Sequence, residues 1–176
     1  MVGSMSSYQQ LFGVTPASIQ VLNITSAAST SSLDTTLPAP VDMSKSVAIT
    51  GDGVMNYLHA SANRFTGSAF YLTSNTNLRL YKKSNNAGNN TNATVFVIDF
   101  GSMVKSVQTV LLSRASTSAA LSPVDTAKCV VFKAYAFNSA GTLPTIPYAH
   151  TLTSTSFSAS SLPSNVDLVA QIVEFW

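Results

Sequence analysis

Charge is scarce in this chain. Asp, Glu, Lys and Arg make up 9% of its 176 residues, where an ordinary soluble domain carries about 25%. Nine basic residues stand against seven acidic ones. The basic ones are scattered, Lys82-Lys83 being the one adjacent pair. Nucleic-acid binding by counterion displacement needs a basic patch, so that class is excluded. Cysteine is nearly absent too. Cys129 stands alone, which rules out an intrachain disulfide; in the apolar run Cys129-Val130-Val131-Phe132 it reads as a small buried hydrophobe. No apolar stretch is long enough to cross a bilayer. Residues Met1 to Gln10 have neither a basic nor an apolar leader region, so they do not read as a secretory signal.

Chemistry-bearing groups are equally thin. His59 and His150 have no metal-ligand spacing with another His, Cys or acid, so no metal is expected. The eight glycines are too dispersed for a phosphate-binding loop. Gly67-Ser68 lacks the Gly-x-Ser-x-Gly spacing of a nucleophile elbow. The expectation is a protein without catalytic residues or cofactor. What is plentiful is Ser (27), Thr (19) and Asn (12). A surface solvated by hydroxyls and amides repels close neighbours little, which suits a subunit packed in several copies. Three Asn-x-Ser/Thr triplets, at Asn23, Asn89 and Asn92, count as compositional without an export signal.

The sequence also repeats itself. Ser18-Ile19-Gln20 returns as Ser106-Val107-Gln108, and Pro40-Val41-Asp42 with Lys45 returns as Pro123-Val124-Asp125 with Lys128. Leu72-Thr73-Ser74 matches Leu152-Thr153-Ser154, and Val97 to Phe100 matches Ile172 to Phe175. The offsets, 88, 83, 80 and 75, keep their order and shrink, as loop shortening in a second copy would produce. The expected layout is an arm over 1–14, one module over 15–101 and another over 102–176.

Strand patterns dominate both parts, and no segment sustains a helical apolar period. In the first, strands are expected over 19–24, 46–50, 65–73, 77–81 and 95–100. Leu78 and Leu80 face one side there, with Arg79 and Tyr81 opposite. In the second, they are expected over 107–112, 129–137, 151–157 and 166–175. Residues 138–147, with Gly141, Pro144 and Pro147, read as a loop. The fold class that follows is all-β, two tandem, internally duplicated antiparallel β-sandwich modules.

The repeated phrases read as scaffolding. In Pro-Val-Asp-x-x-Lys the proline fixes φ, the aspartate caps a turn, and the lysine lies close enough to pair with it. Asp99 and Glu174 share one repeat position. Facing each other they would make an acid–base pair, but solvated strand ends are the commoner role. Tyr57, Tyr71, Tyr81, Tyr148 and Trp176 read as core or interface aromatics ahead of a sugar-stacking platform. Interface candidates are Tyr8, Leu11 and Phe12 in the arm, which either frays or docks in a neighbour's groove, and Trp176, which either tucks under the second module or anchors a neighbour.

The opening Ser-[Ile/Val]-Gln strand, the Pro-Val-Asp-x-x-Lys turn and the closing Gln-Ile-Val-Glu-Phe strand together resemble small β-sandwich modules of tailed-bacteriophage virion proteins. Residues 104–112, 123–131 and 169–175 carry the likeness. In the first copy Phe96 replaces Gln171 and Asp99 replaces Glu174. The resemblance implies a non-enzymatic virion component: a capsid decoration, cement or head-fibre subunit, or alternatively a tail or fibre component with carbohydrate or host-receptor binding. Implied partners are other virion proteins and further copies of the chain, with no nucleic acid and no membrane. It transfers no catalytic residue.

Overall fold

The computed structural model describes residues 16–27, 31–50, 64–83, 91–140 and 149–176. The first part holds β1 (Ser18–Ser26), β2 (Ser32–Thr36), β3 (Ser46–Thr50), β4 (Arg64–Ser74), β5 (Asn77–Lys82) and β6 (Thr91–Asp99). The second holds β7 (Val104–Leu112), β8 (Ser118–Ala120), β9 (Cys129–Ala140), β10 (His150–Leu152), β11 (Ser156–Ala159) and β12 (Val166–Phe175). All pairings are antiparallel, and among the described residues the sole helical pieces are two short 3-10 turns. None of these helices is long and apolar enough to cross a membrane. The protein is all-β.

Side-chain alternation sets which faces meet. Along β1, Leu22, Ile24 and Ser26 are buried while Val21, Asn23 and Thr25 are exposed, the period of two that a half-buried strand imposes. Leu22 and Ile24 meet Phe70 and Leu72 of β4, Leu78 and Leu80 of β5, and Val95 and Val97 of β6 in one core. That core fills a sandwich between β1-β6-β3 and β2-β5-β4. A second core places Val110 and Leu112 of β7 with Phe137, Phe157, Leu168 and Ile172, between β7-β12-β9 and β10-β11-β8.

The two parts reuse the same pairings. Ser18 opposite Asp99 recurs as Ser106 opposite Glu174, and Ser46 opposite Asp99 as Cys129 opposite Glu174. Thr35 opposite Leu78 recurs as Ala119 opposite Phe157. Isolated bonds recur as well. Leu37 N donates to Thr76 O at 2.9 Å and Leu121 N to Thr155 O at 2.8 Å. The Gln20 amide pairs both polar backbone atoms of Ala39; the Gln108 amide pairs the same two atoms of Ser122.

The parts are also stitched into one sheet, ordered β2-β5-β4-β9-β12-β7. The seam is Arg64 to Gly67 of β4 against Ala140 to Phe137 of β9. Gly67 is needed there. A Cβ at that position would stand 2.5 Å from Phe137 Cδ1 and 2.9 Å from the Tyr135 carbonyl, closer than atoms pack. Because the first part lies on the outer face of β7-β12-β9, nine of the ten residues of β12 are buried. Gly101, at φ +56°, makes the sharp passage from β6 to β7.

Several strand expectations need correction. β2 and β8 were not anticipated, because Ser32-Leu33-Asp34-Thr35-Thr36 and Ser118-Ala119-Ala120 carry hardly any apolar signal; pairing to β5 and β11 makes them strands. The expected strand over 151–157 is two, β10 and β11, hinged where Thr153 Oγ1 accepts the Ser156 amide at 2.9 Å. Residues 138–140, expected in a loop, extend β9 to pair with β4; the rest of that loop through 147 lies outside the described residues, as does the 1–14 arm.

Candidate interaction surface

The turns that shape this surface start from the repeated aspartates. Asp42 Oδ1 accepts the Ser44 amide at 2.9 Å and the Ser44 hydroxyl at 2.7 Å; Asp125 Oδ1 accepts the Ala127 amide at 3.1 Å. These caps match expectation. The lysine does not, since Lys45 Nζ reaches past Asp42 to the carbonyls of Val104 (2.8 Å) and Lys105 (2.7 Å). It fastens the start of β7 onto the first part.

Asp99 and Glu174 are not solvated strand ends, nor an acid–base pair. Each locks the aspartate turn of its own part. Asp99 accepts the amides of Asp42 (3.3 Å) and Gly101 (2.8 Å). Glu174, 1% exposed, accepts the Asp125 amide at 2.9 Å, Lys105 Nζ at 2.9 Å and the Ser106 hydroxyl at 3.3 Å. The Asp125 amide, helped by Lys105, holds the Glu174 carboxyl below its ordinary range against the opposing effect of burial.

Cys129 is half-buried rather than fully so. Its Sγ lies 3.2 Å from the Asp125 carbonyl, where Ser46 Oγ donates to the Asp42 carbonyl at 2.7 Å. Burial and the nearby carboxylates push its thiol up, which makes it a poor nucleophile at neutral pH.

Around Cys129 the surface opens. Met103, Lys128, Cys129, Val130, Phe175 and Trp176 line a depression of about 520 Å³. β12 delivers the two aromatics. Phe175 packs edge-on against Phe100, centroids 6.1 Å apart. Trp176 is not tucked under a sheet, being 70% exposed. Its indole N–H donates to the Ser102 carbonyl at 2.8 Å, and Lys45 Nζ stands 5.8 Å from the ring centroid. With its polar edge satisfied and a cation near the ring, the indole presents a fixed apolar surface, the kind that anchors interfaces. Val130 beside it is 40% exposed. A second apolar patch lies on β1, where Ile19 and Val21 are exposed.

Other sequence candidates fall elsewhere. His150 sits against the Phe157 ring, with Lys133 Nζ 3.3 Å from Nε2. Tyr71 and Tyr81 are half-buried between the parts. Tyr81 donates its hydroxyl to Asp167 at 2.6 Å, and Lys83 forms an ion pair with the same carboxylate. Tyr8, Leu11, Phe12, Tyr57, His59 and Tyr148 lie outside the described residues. Among the described residues no group of three or more His, Cys, Asp or Glu is arranged to hold a metal ion.

Sequence reasoning missed Gln171 and Asp167. Their signal was present: both are polar residues inside the otherwise apolar run Val166 to Val173. A strand buried on both faces must find partners for such groups. The chain matches no protein-family model, no curated protein and no solved structure.

Proposed function

We propose that this chain is a bacteriophage virion structural protein made of two tandem β-sandwich modules, residues 15–101 and 102–176, that binds neighbouring virion proteins at the capsid surface as a decoration, cement or head-fibre subunit. The recurrence of pairings between the parts supports the duplicated reading, since several strand registers and turn bonds recur at corresponding residues. Resemblance over 104–112, 123–131 and 169–175 supports the virion reading. The observation that carries the binding role is the Val130–Trp176 depression: an indole held by Ser102 and left 70% exposed on a chain that is 9% charged. Such a surface gains by covering apolar area and meets little electrostatic resistance.

A tail or fibre role with glycan binding is the second reading, favoured by the exposed indole, which can stack on a sugar ring. The half-buried Tyr71 and Tyr81 leave Trp176 without companions from that pair, so adhesion to protein is preferred. Labelled protein incubated with purified particles and pelleted through a density gradient tests the proposal, together with micrographs locating it on the particle. Pelleting in fixed stoichiometry with heads is expected; a protein found neither in nor on particles sinks the virion reading.

A further inference from the structure

The segment after Gly101 docks on the first part in a defined way. Val107 N donates to Ser44 O at 2.7 Å, and Lys45 Nζ donates to the carbonyls of Val104 and Lys105. Val104 and Val107 help bury Val47, which keeps no exposed surface. Both sides of this contact occur a second time in the chain. By the 83-residue offset, Ser44, Lys45 and Val47 correspond to Ala127, Lys128 and Val130. By the 88-residue offset, Val104, Lys105 and Val107 correspond to Pro16, Ala17 and Ile19.

The second set is open where the first is closed. Val130 is 40% exposed against 0% for Val47, and Ile19 is 37% exposed against 9% for Val107. Ala127 and Lys128 line the same depression as Trp176. Ile19 lies opposite Ile98 as Val107 lies opposite Val173. That matched register turns the Ile19 amide away from β6, as the Val107 amide is turned away from β12 to reach Ser44.

We propose that the chain associates head to tail with further copies of itself: Pro16 to Ile19 of one copy covers the Ala127–Val130 depression of the next, as Val104 to Val107 covers Ser44 to Val47 within a copy. The Ile19 amide meets the Ala127 carbonyl, Lys128 reaches the carbonyls of Pro16 and Ala17, and Ile19 covers Val130 beside the Trp176 indole. The contact joins two different patches, so it is heterologous and propagates into a ring or a filament. A copy of this chain is the occupant because the matching counterpart, with the residue spacing of the internal contact, stands exposed on β1. The inference rests on the two parts being copies of one unit; it does not rest on where the protein works.

Sedimentation velocity of the full chain up to about 0.1 mM, a concentration that reveals weak specific contacts, tests it. Concentration-dependent growth beyond the dimer is expected. Ile19→Asp and Val130→Asp should each weaken association roughly tenfold or more, as loss of a buried anchor does. An equimolar mixture of the two variants should recover a 1:1 dimer, since one intact contact remains. Circular dichroism melts check that both fold. Independently of those variants, Ile19→Cys with Val130→Cys in a Cys129→Ser background should give a ladder of disulfide-linked oligomers on oxidation. A monomeric wild-type chain, an Ile19→Asp variant that assembles like wild type, a mixture that stays monomeric, or oxidation to a single dimer band would each overturn the proposal. Loss of self-association with particle binding retained would leave the virion reading standing, and the converse would leave this one.

Discussion

The side-chain amide of Gln171 is docked on the backbone of Ala48, 123 residues away. Its carbonyl oxygen accepts the Ala48 N–H at 2.8 Å, and its NH2 donates to the Ala48 carbonyl at 2.7 Å. Ala48 lies on β3, at the edge of the β1-β6-β3 sheet, and its outward backbone groups would otherwise be buried without partners. A glutamine side chain thus stands in for one residue of a neighbouring strand.

Gln171→Ala should therefore destabilise the protein by about 2–4 kcal/mol, since each buried backbone group left unpaired costs about 1–3 kcal/mol. For a chain this long that is a fall in Tm of roughly 5–15 °C. Thermal melts followed by circular dichroism check it; a shift within about 2 °C, less than the scale for 1 kcal/mol, would refute it.

Gly67→Ala should cost about 1–3 kcal/mol, the usual range for overpacking. The new methyl meets the Phe137 ring and the Tyr135 carbonyl, so the seam between β4 and β9 must spread. Hydrogen exchange should quicken for residues 64–67 and 137–140 ahead of the rest. Uniform exchange across the chain would contradict this.

Glu174 makes stability depend on acidity. Its folded pKa is depressed, so its contribution is complete above the ordinary glutamate value of 4.5 and is lost as pH falls through the lower folded value. Wild type should lose Tm steadily below about that pH, and Glu174→Gln should flatten that part of the curve while lowering the plateau above it. Parallel Tm–pH curves for the two proteins would show that Glu174 is not responsible.

Cys129 should react slowly with a thiol reagent at pH 7, several-fold below a free exposed cysteine, because burial disfavours its thiolate. Raising the pH to about 9, near the ordinary thiol range, should narrow that gap only in part. Labelling at the rate of an unfolded control would contradict the geometry at Asp125.

Much of the scaffold was legible in the sequence because it depends on local pattern. Leu78 and Leu80 alternate against Arg79 and Tyr81, and both leucines are core; the shrinking offsets of the repeat agree with the strand registers. What was not legible depends on tertiary context. β2 and β8 are polar strands held by their neighbours. Asp42 is the carboxylate nearest Lys45 in sequence, yet β7 offers two carbonyls in better position. Glu174 looks like a strand end until β12 is seen to be covered on both faces, and Trp176 had two equal readings until its ring was found exposed.

The β4–β9 seam has a consequence for synthesis. A chain emerging N-terminus first has made β4 more than fifty residues before β9. Until β9 arrives, the Arg64–Gly67 edge is an unpaired strand, able to take up any other extended segment. A ribosomal product stalled near Gly101 would carry that edge permanently. Premature termination here yields a sticky fragment rather than a finished half-protein.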